Sequence, residues 1–157
     1  GRYVYSSLLR SKPVEGAPPA PADAPRSGRW IDVNLTLQIA TAYEAATPIK
    51  SVLVSSGRPG WETAGGVFEI QRRKDKGTMD GSTLVGQGPD GRGASYKIEN
   101  VRWIQYFSGD GSAIHENYWR NPARFGIPSS HGCIGMLPAD AAWFWDFASV
   151  GTPVVIH

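Results

Sequence analysis

One cysteine and three histidines are all that this 157-residue chain contains of either residue. A single Cys excludes an internal disulfide and any multi-cysteine zinc site, while leaving the redox compartment open. No run of 18 apolar residues occurs, so nothing in the sequence is expected to span a bilayer. Positive charge is not concentrated either. Sixteen Lys and Arg stand against fourteen Asp and Glu, the net charge is +2, and no basic tract points to nucleic acid. There is no signal-peptide pattern, and the chain opens Gly1-Arg2-Tyr3 without an initiator Met, as expected of a trimmed or processed form.

What is plentiful points to a strand-rich domain. Nineteen Gly and twelve Pro favour turns and short strands over a helical bundle. With 41% hydrophobic and 19% charged residues, a core is feasible and global disorder is not expected. The length suits one folded domain. Residues 1–29 are expected to form a separate N-terminal segment, because 11–28 (SKPVEGAPPAPADAPRSG) hold five prolines and no apolar period. That composition fits an extended linker or a disordered terminus equally well. The folded domain is placed at 30–157.

Within it, Ile31, Val33, Leu35, Leu37 and Ile39 alternate with polar residues at the strand period, and a turn near Asn34–Thr36 splits the stretch into a hairpin. EAATP at 44–48 reads as a second turn. Strands are expected at 49–57, 66–73, 94–98, 101–107, 112–116 and 153–157, with long loops at 74–93, which leaves room for a short irregular strand, and at 117–132. Residues 138–149 (PADAAWFWDFAS) are the one clear helix, with Pro138 in its first turn and Asp140 at the positive end of its dipole. Trp143, Phe144, Trp145 and Phe147 read as core rather than as a sugar platform. Asn34-Leu35-Thr36 matches a glycosylation sequon but lies in a strand pattern.

The cysteine sits in Ser129-Ser130-His131-Gly132-Cys133-Ile134-Gly135-Met136. These neighbours are too small and polar for an inert buried thiol, which usually sits among large aliphatic residues. A free thiol titrates near pH ~8.5, so its nucleophilic form needs a base at neutral pH. His131 is two residues away. His115 lies eighteen residues upstream at a strand end, a more rigid platform for a base than the nucleophile's own loop. Gly132 lets successive N–H groups converge on one point, as an oxyanion requires.

The stretch IHENYWRNPARFGIPSSHGCIGM (114–136) resembles the active-site signature of the L,D-transpeptidases, the YkuD-like family: a His at a strand end, about fifteen residues, then Ser-His-Gly-Cys. IDVNLTLQIATAY (31–43), SSGRPGWETAGGVFEI (55–70) and ADAAWFWDFASVGTPVVIH (139–157) are similar to the family's opening strands, its Gly-rich middle and its closing helix and strand. The resemblance implies a mainly β fold, a β-sandwich of mixed sheets with one clear short helix near the C-terminus. It implies attack by a Cys133 thiolate on the carbonyl of the third residue of a peptidoglycan tetrapeptide stem. D-Ala leaves, and the acyl group passes from a thioester to an amine of a second stem, giving a 3→3 cross-link. Partners so implied are peptidoglycan stem peptides, with carbapenem β-lactams as inhibitors. The expected setting is the cell envelope, extracytoplasmic, for a monomer that needs no cofactor and no metal.

Carried over by residue, Cys133 is the nucleophile, His115 the general base, and Glu116 the third member, acting through its backbone carbonyl. Backbone N–H groups of His131, Gly132 and Cys133 form the oxyanion hole. Trp103, Tyr106, Tyr118, Trp119 and Ser130 line the substrate cleft. The imidazole of His131 is read as structural, and His157 as a solvated end. Two departures from the family stand out. Glu116 replaces a Gly or Ser and would bring negative charge near the substrate. Gly135 replaces an Arg or Asn and would remove a polar side chain from the substrate side. Alternatives are an L,D-carboxypeptidase using water as acceptor, a catalytically weak wall-binding domain, and a zinc site of Cys133, His131 and His115.

Overall fold

The computed structural model describes residues 20–22, 24–25, 27–84 and 88–157. Most of the Pro/Ala-rich segment expected at the N-terminus lies outside the described residues. Among the described residues, nine strands and one α-helix follow in the order β1 (Arg29–Asn34), β2 (Ile39–Glu44), β3 (Thr47–Leu53), β4 (Gly66–Glu69), β5 (Arg72–Asp80), β6 (Lys97–Tyr106), β7 (Ala113–Glu116), β8 (Ile134–Met136), α1 (Pro138–Phe147) and β9 (Pro153–Ile156). They make two mixed sheets, β3-β2-β1-β9-β4 and β5-β6-β7-β8. The parallel pairs are β1 with β9 and β7 with β8.

The core lies between the sheets. Ile31 and Val33 of β1 and Ala40 and Ala42 of β2 face Ile114, Ile134 and Met136 of the second sheet. Phe144 and Phe147 of α1 complete it, and Trp143 packs against its edge, stacked on Phe147 at 5.2 Å. The hairpin expected around Asn34–Thr36 is present. Asn34 Oδ1 accepts from the Leu37 amide (2.8 Å), and the left-handed Gln38 (φ 55°) returns the chain into β2. The opposite face of β1 is buried too. Trp30 stacks on Tyr43 at 4.4 Å. Asp32, only 1% exposed, bonds the imidazole Nε2 of His157 at 3.0 Å. His157 is exposed at the chain end, as expected, but its imidazole is not idle. It is the partner of a buried carboxyl whose pKa burial raises and the histidine opposes.

Other expectations need correction. The stretch 66–73 is not one strand. It is divided between β4 and β5, which belong to different sheets. The chain crosses at buried Ile70, whose amide bonds Thr152 O, while the Gln71 amide bonds Tyr106 O. The strand within 74–93 is longer and more regular than expected, since β5 continues through residues 74–80. β5 is a sheet edge whose Lys and Asp side chains reach solvent, so it shows no apolar alternation to read. Residues 97–106 run as a single strand with a register shift against Gly77–Met79. Asn100 takes φ 60° there, a conformation that Asn tolerates and most residues avoid.

Candidate active site

β7 and β8 bring the candidate residues together. Their parallel register pairs Ile114 with Ile134 and His115 with Gly135. Both isoleucines are fully buried in the inter-sheet core. Side chains alternate along a strand, so His115 and Cys133 emerge together on the other face of the sheet. Both border one cavity of about 160 Å³. A larger cavity of about 340 Å³ also reaches Cys133, along Tyr106, Asp80 and Arg72, and shares Met79, Tyr96 and His131 with the smaller one.

The imidazole is fixed by its own neighbour. His115 Nδ1 lies 2.5 Å from the Glu116 backbone carbonyl oxygen. A carbonyl only accepts, so Nδ1 carries the hydrogen and Nε2 keeps its lone pair. The Glu116 carboxylate turns elsewhere: Oε1 accepts from the Arg102 amide at 2.8 Å. The negative charge expected beside the substrate is instead tied to the β6 backbone. Burial pushes the Cys133 thiol up to about 11, with the Ala113 amide opposing and the Asp110 charge adding to the rise. Burial holds His115 below its usual value, opposed by its bond to Glu116. At neutral pH the resting pair is thus a thiol beside a neutral imidazole, rather than a thiolate–imidazolium ion pair.

The loop that carries Cys133 is held from several directions. Gly132 has φ 112°, in the left-handed region that only Gly adopts readily. Its carbonyl accepts from Thr63 Oγ1 at 2.8 Å, and Thr63 Oγ1 in turn accepts from the Gly57 amide at 3.0 Å. The Ser129 and Ser130 amides both bond Ser56 O, and Ser55 pairs with Gly135 through two backbone bonds. Ser130 is a loop brace as well as a cavity wall. Its Oγ donates to Cys133 O (2.6 Å) and accepts from the Gly132 amide (3.1 Å). That bond commits the Gly132 N–H, one of three expected oxyanion donors, to the loop itself. The His131 ring is flanked by Trp61 at 4.8 Å and Tyr96 at 4.6 Å, as befits a packing side chain.

The expected cleft aromatics divide. Tyr106 borders the larger cavity, with the Arg72 guanidinium 3.7 Å from its ring centre. Trp119 borders the smaller one, its ring 5.9 Å from that of His115 and nearly parallel to it. Tyr118 lines neither. It bonds Glu99 O at 2.7 Å and meets Trp119 edge-on. Trp103 is on the wrong face: it packs against the inter-sheet core, and its φ of 54° shows that β6 departs there from regular extension.

Residues with no recognisable signal in the sequence also belong to the site. Tyr96 borders both cavities, and burial, its main cause, lifts its phenol to about 12. Met79, Ile98, Asn117 and Arg120 border the smaller one. Asn117 explains Gly135. A Cβ at 135 would lie 3.0 Å from Asn117 Nδ2 and 3.2 Å from its Cβ. The polar group expected to be missing at Gly135 is therefore supplied across the strand pair by an amide that is only 6% exposed. Among the described residues, no group of three or more His, Cys, Asp or Glu could hold a metal ion. The zinc alternative has no geometry to support it.

A fold of two mixed sheets carrying a strand-end His beside a loop Cys defines a class of cysteine-nucleophile candidates. The chain belongs to the L,D-transpeptidase catalytic domain family (YkuD), whose profile matches residues 28–156. It is 30% identical over 110 residues to L,D-transpeptidase 2 of Mycobacterium tuberculosis (strain CDC 1551 / Oshkosh), an alignment covering 69% of this chain and 26% of that protein. It is 28% identical over 147 residues to probable L,D-transpeptidase 3 of M. tuberculosis (strain ATCC 25618 / H37Rv), covering 92% of this chain and 46% of that one. The chain thus spans less than half the length of either relative. A solved structure of the M. tuberculosis L,D-transpeptidase 3 matches with a TM-score of 0.72 at 21% identity, covering 83% of this chain and 61% of that one. The catalytic domain of the Enterococcus faecium L,D-transpeptidase matches at 0.70 and 24% identity, covering 83% of this chain and 98% of that one. At such identities the two solved structures speak to the fold. Among the described residues, no helix is long and apolar enough to cross a membrane.

Proposed function

We propose that this chain is the catalytic domain of a peptidoglycan L,D-transpeptidase acting in the extracytoplasmic cell envelope. The observation that carries the reading is the placement of His115 and Cys133 on one sheet face, with Nδ1 bonded to the Glu116 carbonyl. As the substrate carbonyl approaches, Nε2 takes the Cys133 proton and the sulfur forms the C–S bond. The oxyanion is held by the His131 and Cys133 amides. The imidazolium returns its proton to the leaving amine nitrogen, the C–N bond breaks and D-Ala departs. An acceptor amine then attacks the thioester and gives its proton to His115, and the thiolate leaves to be reprotonated. Water in place of the amine would give the carboxypeptidase reaction through the same thioester. A related L,D-transpeptidase has been solved in complex with imipenem, and another with a faropenem-derived adduct. We extend carbapenem acylation to Cys133 here.

A neutral resting pair makes a definite pH profile. Acylation needs His115 unprotonated, and its folded value lies below the usual one. The rate should rise with pH through that lowered value and be level by neutrality. The thiol titrates only near about 11, so it adds no limb between neutrality and pH ~10. Release of D-Ala from a tetrapeptide stem, followed from acid to alkaline pH with an amine acceptor present, measures this. A rate that climbs tenfold per unit through the alkaline range would mean that bulk deprotonation makes the thiolate and His115 is not the base. The absence of any release, with or without acceptor, would remove the functional reading itself.

A further inference from the structure

The two cavities at Cys133 are not equivalent, because His115 borders only the smaller one. Nitrogen must be on that side whenever a proton moves. The leaving amine receives its proton from His115, and the attacking amine gives its proton to the same Nε2. The departing D-Ala and the entering amine therefore occupy the smaller cavity in turn, and the acyl part of the donor lies along the larger one.

Arg120 borders the smaller cavity. Its Nε donates to Arg124 O at 3.3 Å, which places the two guanidinium-bearing residues side by side. Among the described residues, no Asp or Glu forms an ion pair with either. Partial burial, and then the neighbouring Arg124 charge, make the Arg120 cation less favourable than usual. A half-buried cation, crowded by a like charge and lining a cavity, attracts an anion, and the planar guanidinium suits a carboxylate. The leaving D-Ala carries a carboxylate on the carbon that bears its nitrogen. A diaminopimelate side chain ends the same way, with amine and carboxylate on one carbon, whereas a lysine side chain does not.

We propose that Arg120 binds the carboxylate on the carbon bearing the reacting amine, first in the leaving D-Ala and then in the acceptor. Arg120 thereby selects acceptors of the diaminopimelate type over lysine-type amines. The proposal rests on the transpeptidase reading and specifies its amine side. No new bond chemistry is involved: the C–N bond broken and the C–N bond formed are those of the reaction above.

The test compares donor tetrapeptides ending in D-Ala and in D-alaninamide, by release of the terminal residue and by binding to Cys133→Ser. Wild type should prefer the free carboxylate by about tenfold to a hundredfold in kcat/KM, the range of one charge-assisted hydrogen bond. Arg120→Gln should bring that ratio close to one by slowing the carboxylate substrate alone, and Arg120→Lys should keep part of it. Acceptors with the distal diaminopimelate carboxyl free or amidated should show the same pattern. Undiminished discrimination in folded Arg120→Gln would overturn the proposal. So would loss of sensitivity only to amidation of the carboxyl on the donor's third residue, which would place Arg120 on the acyl side. If no stem acylates the protein, the transpeptidase reading fails. The binding comparison then still decides whether Arg120 holds a carboxylate.

Discussion

His115→Ala slows acylation of Cys133 by about 10²-fold or more, the usual consequence of removing a general base. The loss follows because the thiol is held at about 11 and has little thiolate of its own at neutral pH. It should be read beside His131→Ala. The ring of His131 lies against Trp61 and Tyr96, so its loss should lower stability more than chemistry. Initial rates of adduct formation with a carbapenem, with circular dichroism to report folding, separate the two. Abolished acylation in a folded His131→Ala protein, together with near-normal acylation in His115→Ala, would exchange their roles.

Why His115 and Cys133 could be singled out from the chain, and Tyr96 or Arg120 could not, has a physical basis. The proposed nucleophile and base stand out chemically, as a Cys among glycines and serines and a His at a strand end. The two-residue period of β7 also carries the information that His115 points away from the core, because Ile114 points into it. Tyr96 precedes β6 in a loop and meets the site only through the tertiary fold, which no local pattern encodes. Trp103 faces the core because its own φ of 54° breaks the parity from which a strand residue's face is inferred. The length of β5 is not legible in the sequence, because hydrophobic alternation marks strands with one buried face and its exposed Lys and Asp residues belong to an edge. Gly135 was legible as a departure from the family, but its meaning was not. The amide that fills its space comes from Asn117, on the neighbouring strand's extension.

Gly132→Ala is expected to reduce acylation by about 10²-fold in a protein that still folds. The Ser112 hydroxyl, 3.5 Å from a Cβ at this position, leaves room, so crowding is not the cause. The backbone is: at φ 112° an Ala side chain is strained by about 1–3 kcal/mol. Relief requires the peptide to rotate, which withdraws the Gly132 carbonyl from Thr63 and swings Cys133 off its line to His115. A shift of about 1 Å at reacting atoms is worth roughly 10²-fold. The same assay applies, with thermal melting to follow the fold. A rate unchanged within about threefold would show that the loop tolerates another conformation, and that pre-organisation by Gly132 does not control the nucleophile.

On the proposed reading, Cys133 is the acylated nucleophile of an L,D-transpeptidase domain. Intact-mass and peptide-level mass spectrometry after incubation with a carbapenem tests it most directly, using wild type and Cys133→Ala side by side. One adduct per chain is predicted, on the peptide containing Cys133, and none in the variant. An unmodified wild-type mass after long incubation with several carbapenems, or an adduct that persists in Cys133→Ala, would contradict it.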